Sequence, residues 1–486
     1  MLKALTLLIA ASLSAVFASA QTAHFTPERV AQIEAYIEAR MADTKLPGAA
    51  LVLVENGETV YVRGFGVTGH DDAAVTPDTI FAIGSISKSF LANAVIQDVE
   101  AGLIDLDAPI ATYIPWFETR TRNSGDKITV RHLLNHTSGL STHDGNIGQD
   151  ATNRAPAALE RSVRGIASLR LHSKPGTRFE YSNANYKILG HMLERLHNKT
   201  YAQIIREAVF DRAGMTRSTI LRADADDQAS PHRYRFTSPH QTGFHAGAES
   251  APQGGVYTSA SDMGRYLGAM LRGLDAPDGL WRPTLIEPRV EAFPEAAYGL
   301  GWMVEGPEGD PFVYHSGMNP GFSAHAGFAP QRGLGYAILT NASQGQLGGD
   351  VSGLLRGVHS LVLARDPPAA KTFKTMRTIF AALVGLGLAL LIWIAIFAAR
   401  LLKGKITPKP RKGWGRLGPA LLSLGLAVLA FATLSAIPRS SGAPLDVIRL
   451  FNPDIGWALT LVGGLAALWL ITRQFVFIAL RWIKFS

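Results

Sequence analysis

Hydrophobic and polar positions change their period several times along this chain, and each change marks an element. From Thr26 to Met41 the residues Val30, Ile33, Tyr36 and Ile37 recur at helical intervals, which predicts an amphipathic helix. Pro47 to Val54 and Thr59 to Phe65 are strand-like runs around Asn56-Gly57, a pair that predicts a tight hairpin. A two-stranded ribbon needs partners, and the next strand-like runs lie far downstream. They are Phe312 to His315, Phe322 to Phe328 and Gly335 to Asn341, the last two joined by the turn-rich Ala329-Pro330-Gln331-Arg332-Gly333. A sheet assembled from both ends of a domain makes the middle an insertion. Ser85 to Met270 reads as mostly helix and loop, with Ala101-Gly102 closing one helix and Ser259 with Asp262 capping another. The expected class is α+β, an antiparallel sheet flanked by helices, with an inserted, mainly helical subdomain.

Beyond Arg365 the pattern becomes nearly pure apolar. Thr378 to Ala399, Leu417 to Ile437 and Ile455 to Thr472 carry no charge, and each is close to the ~20 residues a bilayer requires. Their first connection holds Arg400, Lys403, Lys405, Lys409, Arg411, Lys412 and Arg416, whereas the second, Pro438 to Asp454, sets Arg439 and Arg449 against Asp446 and Asp454. Positive charge collects on the cytoplasmic side, so the first connection is expected there and the body upstream of the spans outside the inner membrane. Met1 to Ala20, with Lys3, an apolar run from Ala4 to Phe17 and small residues around Ser19, reads as a cleavable signal peptide and leads to the same side. Spans without ionisable residues point to anchoring rather than transport. The expected division is a signal peptide at 1–20, an extracytoplasmic domain at 21–365, a linker at 366–377, three spans within 378–472 and a cytoplasmic tail at 473–486.

Charge follows this division. The formal net charge is +8, yet from Asp366 onward 15 Lys or Arg face three Asp, which leaves 32 basic and 36 acidic residues upstream. The basicity therefore belongs to the membrane segment, and no nucleic-acid partner is expected. The chain has no cysteine, which excludes a thiol nucleophile, a zinc–thiolate site and disulfides. His132 and His136 stand four apart without a His-Glu-x-x-His arrangement, so they read as packing residues and neither metal nor cofactor is expected.

The candidate chemistry begins at Ser85-Ile86-Ser87-Lys88, which opens a helix whose Leu91, Ala94, Val95 and Val99 face a core. Residues i and i+3 share a face, so the Lys88 amine reaches the Ser85 hydroxyl, and burial at the base of a pocket lowers the lysine toward a useful base. Ser124-Gly125-Asp126-Lys127 repeats the spacing within a polar stretch and reads as a solvated loop. Tyr181-Ser182-Asn183 precedes a helical run; a tyrosine beside a lysine relays a proton and an asparagine amide orients a carbonyl, although a plain helix cap explains the same residues. His315-Ser316-Gly317 ends a predicted strand ahead of Met318-Asn319-Pro320-Gly321, where a strand edge offers an amide to an oxyanion.

In their order and spacing Ser85-x-x-Lys88, Tyr181-x-Asn183 and His315-x-Gly317 resemble the penicillin-recognising serine hydrolases, the family of class C β-lactamases and DD-peptidases, peptidase family S12. Ile128 to Leu140 and Gly254 to Ser259 resemble further signatures, and the likeness covers about residues 26 to 345. It implies a β-lactamase/transpeptidase-like fold, acylation of Ser85, general acid–base roles for Lys88 and Tyr181, and substrate orientation by Asn183 and by His315, Ser316 and Gly317. It further implies oxyanion donors at Ser85 and at a residue near Ser323. The family usually has Lys-Thr-Gly where this chain has His315-Ser316-Gly317, so a fixed cation for a substrate carboxylate is lost. With its signal peptide and three spans the chain resembles the membrane-bound prodrug-activating peptidases of natural-product clusters, which remove an acylated D-amino-acid cap. The expected function is a membrane-anchored periplasmic serine peptidase or amidase. It would take small-molecule or peptide substrates that contain D-amino acids or are acylated. A carboxylesterase, a β-lactamase and an acylated sensor are the alternatives.

Overall fold

Strands β1 (Gly48–Glu55) and β2 (Glu58–Gly66) turn through Asn56 and Gly57, whose φ values of 52° and 84° are the paired left-handed conformations a two-residue hairpin demands. This is a computed structural model, and it describes residues 24–482 except 70–71, 150, 156, 222–226, 244–245, 274–278, 288–289, 295, 345–349, 370–373 and 406–416. The expected signal peptide, Lys409 to Arg416 and the end of the tail lie outside the described residues.

The partners of the hairpin come from the far end of the body. β3 (Val290–Phe293), β4 (Ala296–Tyr298), β5 (Met303–Glu305), β6 (Phe312–Asn319), β7 (Phe322–Ala329) and β8 (Leu334–Thr340) complete an eight-stranded sheet. Its order is β2-β1-β8-β7-β6-β5-β4-β3, antiparallel throughout. The sequence pattern did not disclose β3 to β5, because runs of three or four residues are too short to show a period. β6 also continues past His315 to Asn319, so the His315-Ser316-Gly317 triplet sits inside a strand rather than at its end.

The helices that bear on the site are α1 (Pro27–Thr44), α2 (Ser87–Glu100), α3 (Asn183–His197), α4 (Ala260–Arg272) and α5 (Asp350–Val362). β1 reads as an unbroken apolar run because both its faces are covered. Ala49, Leu51 and Leu53 join a cluster with Ile33 and Ile37 of α1 and Leu354 and Val358 of α5, while Ala50, Val52 and Val54 join the larger core with α2, α3 and α4. The insertion is mainly helical, as its composition predicts. It also contains short strands: Phe81–Ala82 and Thr219–Ile220 flank Val256–Thr258, and His232–Arg235 pairs with Ser238–Gln241 and Ala342–Ser343. Ser124 is no solvated residue: it is buried, and its Oγ accepts from the Thr119 amide at 2.7 Å, while Lys127 points to solvent. The second Ser-x-x-Lys copy is thus a turn pin.

Beyond the body lie α6 (Lys374–Leu402), α7 (Leu417–Phe431), α8 (Leu445–Phe451) and α9 (Pro453–Trp482). Arg377–Leu402, Leu421–Ser440 and Pro453–Val476 are long and apolar enough to cross a membrane. The connection between the second and third spans, which carries α8, folds back onto the body. Asn146 Nδ2 donates to the Gly442 carbonyl at 2.7 Å and Arg233 Nη1 to the Leu450 carbonyl at 2.7 Å. The Asn452 amide reaches the Gln344 carbonyl, and the Asp454 carboxylate accepts from the Phe236 amide. This connection therefore lies on the body's side of the three helices.

Candidate active site

The turn Ile83-Gly84-Ser85 and the middle of β6 approach one another more closely than any side chain allows. A Cβ on Gly317 would stand 1.8 Å from the Ile83 carbonyl oxygen, and one on Gly84, where φ is +52°, would stand 2.3 Å from the Met318 amide nitrogen. The two glycines let the turn press on the strand, and so place Ser85 at the strand's side. Ser85 occupies the 3₁₀ turn Gly84–Ile86, and Lys88 lies in the first turn of α2.

Lys88 is wholly buried. Its Nζ lies 3.0 Å from Ser85 Oγ and 2.9 Å from the Gln253 carbonyl, with the rings of Tyr181 and Tyr186 at 4.9 and 5.4 Å. Burial alone pulls its pKa well below the ordinary 10.5. A neutral amine in this place accepts the Ser85 proton and donates to Gln253 O.

Around the amine stands a layer of aromatic and imidazole rings. His136, held at φ 60°, packs at a tilt against Tyr181 at 4.2 Å and approaches Tyr186 and Tyr298 at 5.3 and 4.9 Å. Its Nδ1 takes the Ser182 amide at 3.1 Å and Asn185 Nδ2 at 3.0 Å, which makes Nδ1 the acceptor. Burial keeps it neutral, and so does the positive charge that Lys88 or His315 would carry. His132, its partner in the sequence pattern, instead closes a capping box with Thr129.

His315 is buried beneath the site, its Nε2 accepting from the Tyr298 hydroxyl at 3.0 Å and its Nδ1 2.6 Å from Ser316 O. Burial first, and the Lys88 charge second, bring its pKa down to about 3. The residue is therefore held neutral at physiological pH. Burial also lifts the Tyr181 phenol above its ordinary 10.0, a shift that its hydrogen bond with Ser85 only partly opposes. Tyr181 is thus held as a neutral phenol.

A cavity of about 40 Å³ opens on Ser85, lined by Asn183, Gln253, Met318, Asn319 and Phe451 among others. Asn183 is oriented by a chain of bonds. Asn146 donates through Nδ2 to the Gly442 carbonyl, so its Oδ1 must accept, and it does so from Asn183 Nδ2 at 2.8 Å and Gln149 Nε2 at 2.6 Å. Asn319 Nδ2 likewise donates to the Gly254 carbonyl at 3.2 Å. Asn183 Oδ1, Asn319 Oδ1 and Gln253 Oε1 are buried acceptors without a partner among the described residues.

Ser316 is exposed on the strand, whereas Ser323 is buried on β7 opposite Met318, with its carbonyl accepting from Thr340 Oγ1 at 2.9 Å. Because Asn319 and Phe322 close the β6–β7 hairpin, the next pair, Met318 and Ser323, is one whose amides face away from each other. The Met318 amide consequently points toward the Ser85 turn, and Met318 is the residue across from Ser323 whose amide can stand beside that of Ser85. Tyr298, Gln253 and Phe451 join the site without having been picked out in the sequence, and His136, read there as a packing residue, joins it together with Asn319. A larger cavity, about 580 Å³ and lined by Thr142, Asp144, Glu180, Arg439 and Gly442 among others, contains neither Ser85 nor Lys88, so the chemistry belongs to the smaller one.

Comparison with known proteins agrees with this geometry. Protein flp of Staphylococcus aureus is 25% identical over 320 residues, covering 64% of this chain and 62% of that protein. The chain therefore spans less than two thirds of that relative. Penicillin-binding protein 4 of Amycolatopsis lactamdurans is 28% identical over 332 residues, 63% of this chain and 83% of the relative. The octameric penicillin-binding protein homologue from Pyrococcus abyssi superposes with a TM-score of 0.60 at 25% identity, covering 72% of this chain and 81% of that one. The Beta-lactamase family model matches residues 33–355, most of the chain and all of the site up to β8, and the chain belongs to the beta-lactamase family of serine hydrolases.

Proposed function

We propose that this protein is a membrane-anchored amidase or peptidase that is acylated on Ser85, with its catalytic body on the outer face of the inner membrane. The observation that carries the choice of amides is the trio of unpartnered acceptors, Asn183 Oδ1, Gln253 Oε1 and Asn319 Oδ1, around the Ser85 cavity. A substrate with N–H groups flanking the scissile carbonyl satisfies them, whereas a simple ester leaves each unpaired at a cost of about 1–3 kcal/mol. The neutral His315 offers no cation for the carboxylate of a β-lactam. The likeness to membrane-bound prodrug-activating peptidases supports acylated or D-amino-acid-containing peptides as the class.

In the reaction Ser85 Oγ attacks the carbonyl carbon and its proton passes to Lys88 Nζ. The Ser85 and Met318 amides hold the oxyanion. As the C–N bond breaks, the Tyr181 phenol protonates the departing amine and is reprotonated by Lys88. Water then attacks the acyl-enzyme, Lys88 and Tyr181 take its proton, and the acid leaves as Ser85 regains its hydrogen.

The test is turnover by the detergent-solubilised full chain of an N-acyl-D-aminoacyl amide, its N-methylated analogue, a p-nitrophenyl ester and nitrocefin, with Ser85→Ala as background. N-methylation of the flanking amide is expected to lower kcat/KM about tenfold or more. Indifference to N-methylation, together with turnover confined to the ester or nitrocefin, would turn the assignment to an esterase or a β-lactamase.

The pH profile tests the base. Protonated Lys88 cannot accept the serine proton, so acylation is expected to fall as pH drops through the depressed Lys88 pKa, a single limb lying below 10.5. His136 and His315 stay neutral and Tyr181 stays protonated across the neutral range, so none of them adds a limb there. Rates of Ser85 labelling between about pH 5 and 10 measure this; a limb near the ordinary histidine value of about 6.5 that vanishes in His315→Asn would move the base to His315.

A further inference from the structure

We propose that the connection between the second and third spans, residues 438–454, is a wall of the substrate site and that Phe451 sets the size of the group admitted beside Ser85. Phe451 ends α8 and lines the same cavity as Ser85, Met318 and Pro320. Its neighbours in sequence tie it down on either side: the Leu450 carbonyl takes Arg233, Asn452 reaches Gln344, and Asp454 takes the Phe236 amide. At the root of α8, Val447 and Ile448 are buried with Ile455 and Leu459 of α9, so the ring is carried by the membrane helices rather than by the body.

The same connection acts at a second point. The Gly442 carbonyl fixes the amide of Asn146, which in turn holds the Asn183 amide at the cavity wall. Two ends of one membrane connection thus shape one pocket.

Volume gives Phe451 its role. A cavity of about 40 Å³ has room for two or three waters, so a bulky acyl group that sits beside Ser85 presses on its walls. The turn at Ser85 and β6 are pressed together at Gly84 and Gly317, which leave no slack between them, and the helix bearing Gln253 is buried in the body. Phe451 is half-buried and packs on the apolar cluster of α8 and α9 rather than in the body's core, so it is the wall that moves. The groups it governs are apolar substituents next to the scissile carbonyl.

This inference rests on acylation of Ser85, and the test separates the two. Full chain in detergent is labelled with two phosphonofluoridates of one warhead, one carrying ethyl and one 2-phenylethyl; Ser85 Oγ displaces fluoride at phosphorus and its proton passes to Lys88. The quantity read is the ratio of the two labelling rates, phenylethyl over ethyl. Phe451→Ala is expected to raise that ratio about tenfold, Phe451→Trp to lower it, and Phe451→Leu to fall between. A ratio unchanged in all three variants while labelling still depends on Ser85 overturns the inference and leaves the proposed function standing. Equal slowing of both probes, the mark of a structural role, overturns it as well. Labelling of the parent chain no greater than that of Ser85→Ala overturns the proposed function, and the inference with it.

Discussion

Replacing Lys88 with methionine is expected to slow acylation of Ser85 by about 10²–10⁴-fold, the range a positioned general base supplies, while the protein still folds. Ser85→Ala combined with Lys88→Met should be no worse than Ser85→Ala alone, since two groups that act as a unit do not contribute additively. Methionine preserves length and apolar bulk but takes no proton. Labelling kinetics on the two single variants and the double variant decide the matter. A Lys88→Met protein that labels at the parent rate would take the base away from Lys88.

Stability separates this outcome from simple misfolding, and the sign can be worked out. The folded state holds the Lys88 pKa well below its ordinary 10.5 through burial. Between the folded and unfolded values the unfolded chain binds more protons, so parent stability rises with pH across that window and the full penalty for burying the ammonium is present below it. Lys88→Met removes that dependence. It also strips the Gln253 carbonyl of its 2.9 Å partner, at a cost of about 1–3 kcal/mol. The two effects oppose each other at neutral pH. The difference in melting midpoint, parent minus variant, should therefore grow as pH rises; a difference independent of pH would mean that Lys88 is charged in the folded state.

Much of this site could be read from residue order, and the part that could not has a common cause. Ser85 and Lys88 are i and i+3 in a continuous helical turn, so their contact is local and survives any uncertainty in tertiary structure. Asn56-Gly57 prescribes its own turn, and the spans announce themselves by length and lack of charge. The oxyanion partner could be placed only near Ser323, because its position depends on the β6–β7 register, which the Pro320-Gly321 hairpin sets and periodicity does not reveal. Tyr298 comes from a three-residue strand too short to show alternation. Phe451 and Gly442 lie hundreds of residues from Ser85 and carry no motif; only the docking on the body of the connection between the last two long apolar helices brings them in. The Ser-x-x-Lys copy at Ser124 shows the reverse error, since spacing alone matches there and the side chain is committed to a turn.

Gly317→Ala should disable the site from a position that contributes no functional group. The added methyl carbon would stand 1.8 Å from the Ile83 carbonyl oxygen and 3.2 Å from the Ser85 amide nitrogen. To reach an ordinary contact the strand must draw back by roughly 1 Å or more, a misplacement that costs about 10²-fold where geometry sets the rate. The Ser85 and Met318 amides would then part, and the oxyanion would lose one of its two donors. Strain of this kind also destabilises, typically by about 1–3 kcal/mol. Gly309→Ala is the matched control, because a methyl there meets nothing within 4 Å. The expected result is Ser85 labelling reduced about 10²-fold in Gly317→Ala and unchanged in Gly309→Ala, with the far-ultraviolet dichroism of both like the parent. Near-parent labelling of Gly317→Ala would mean that β6 and the nucleophile turn shift together, and that the close approach of Gly84 and Gly317 is not what sets the geometry of Ser85.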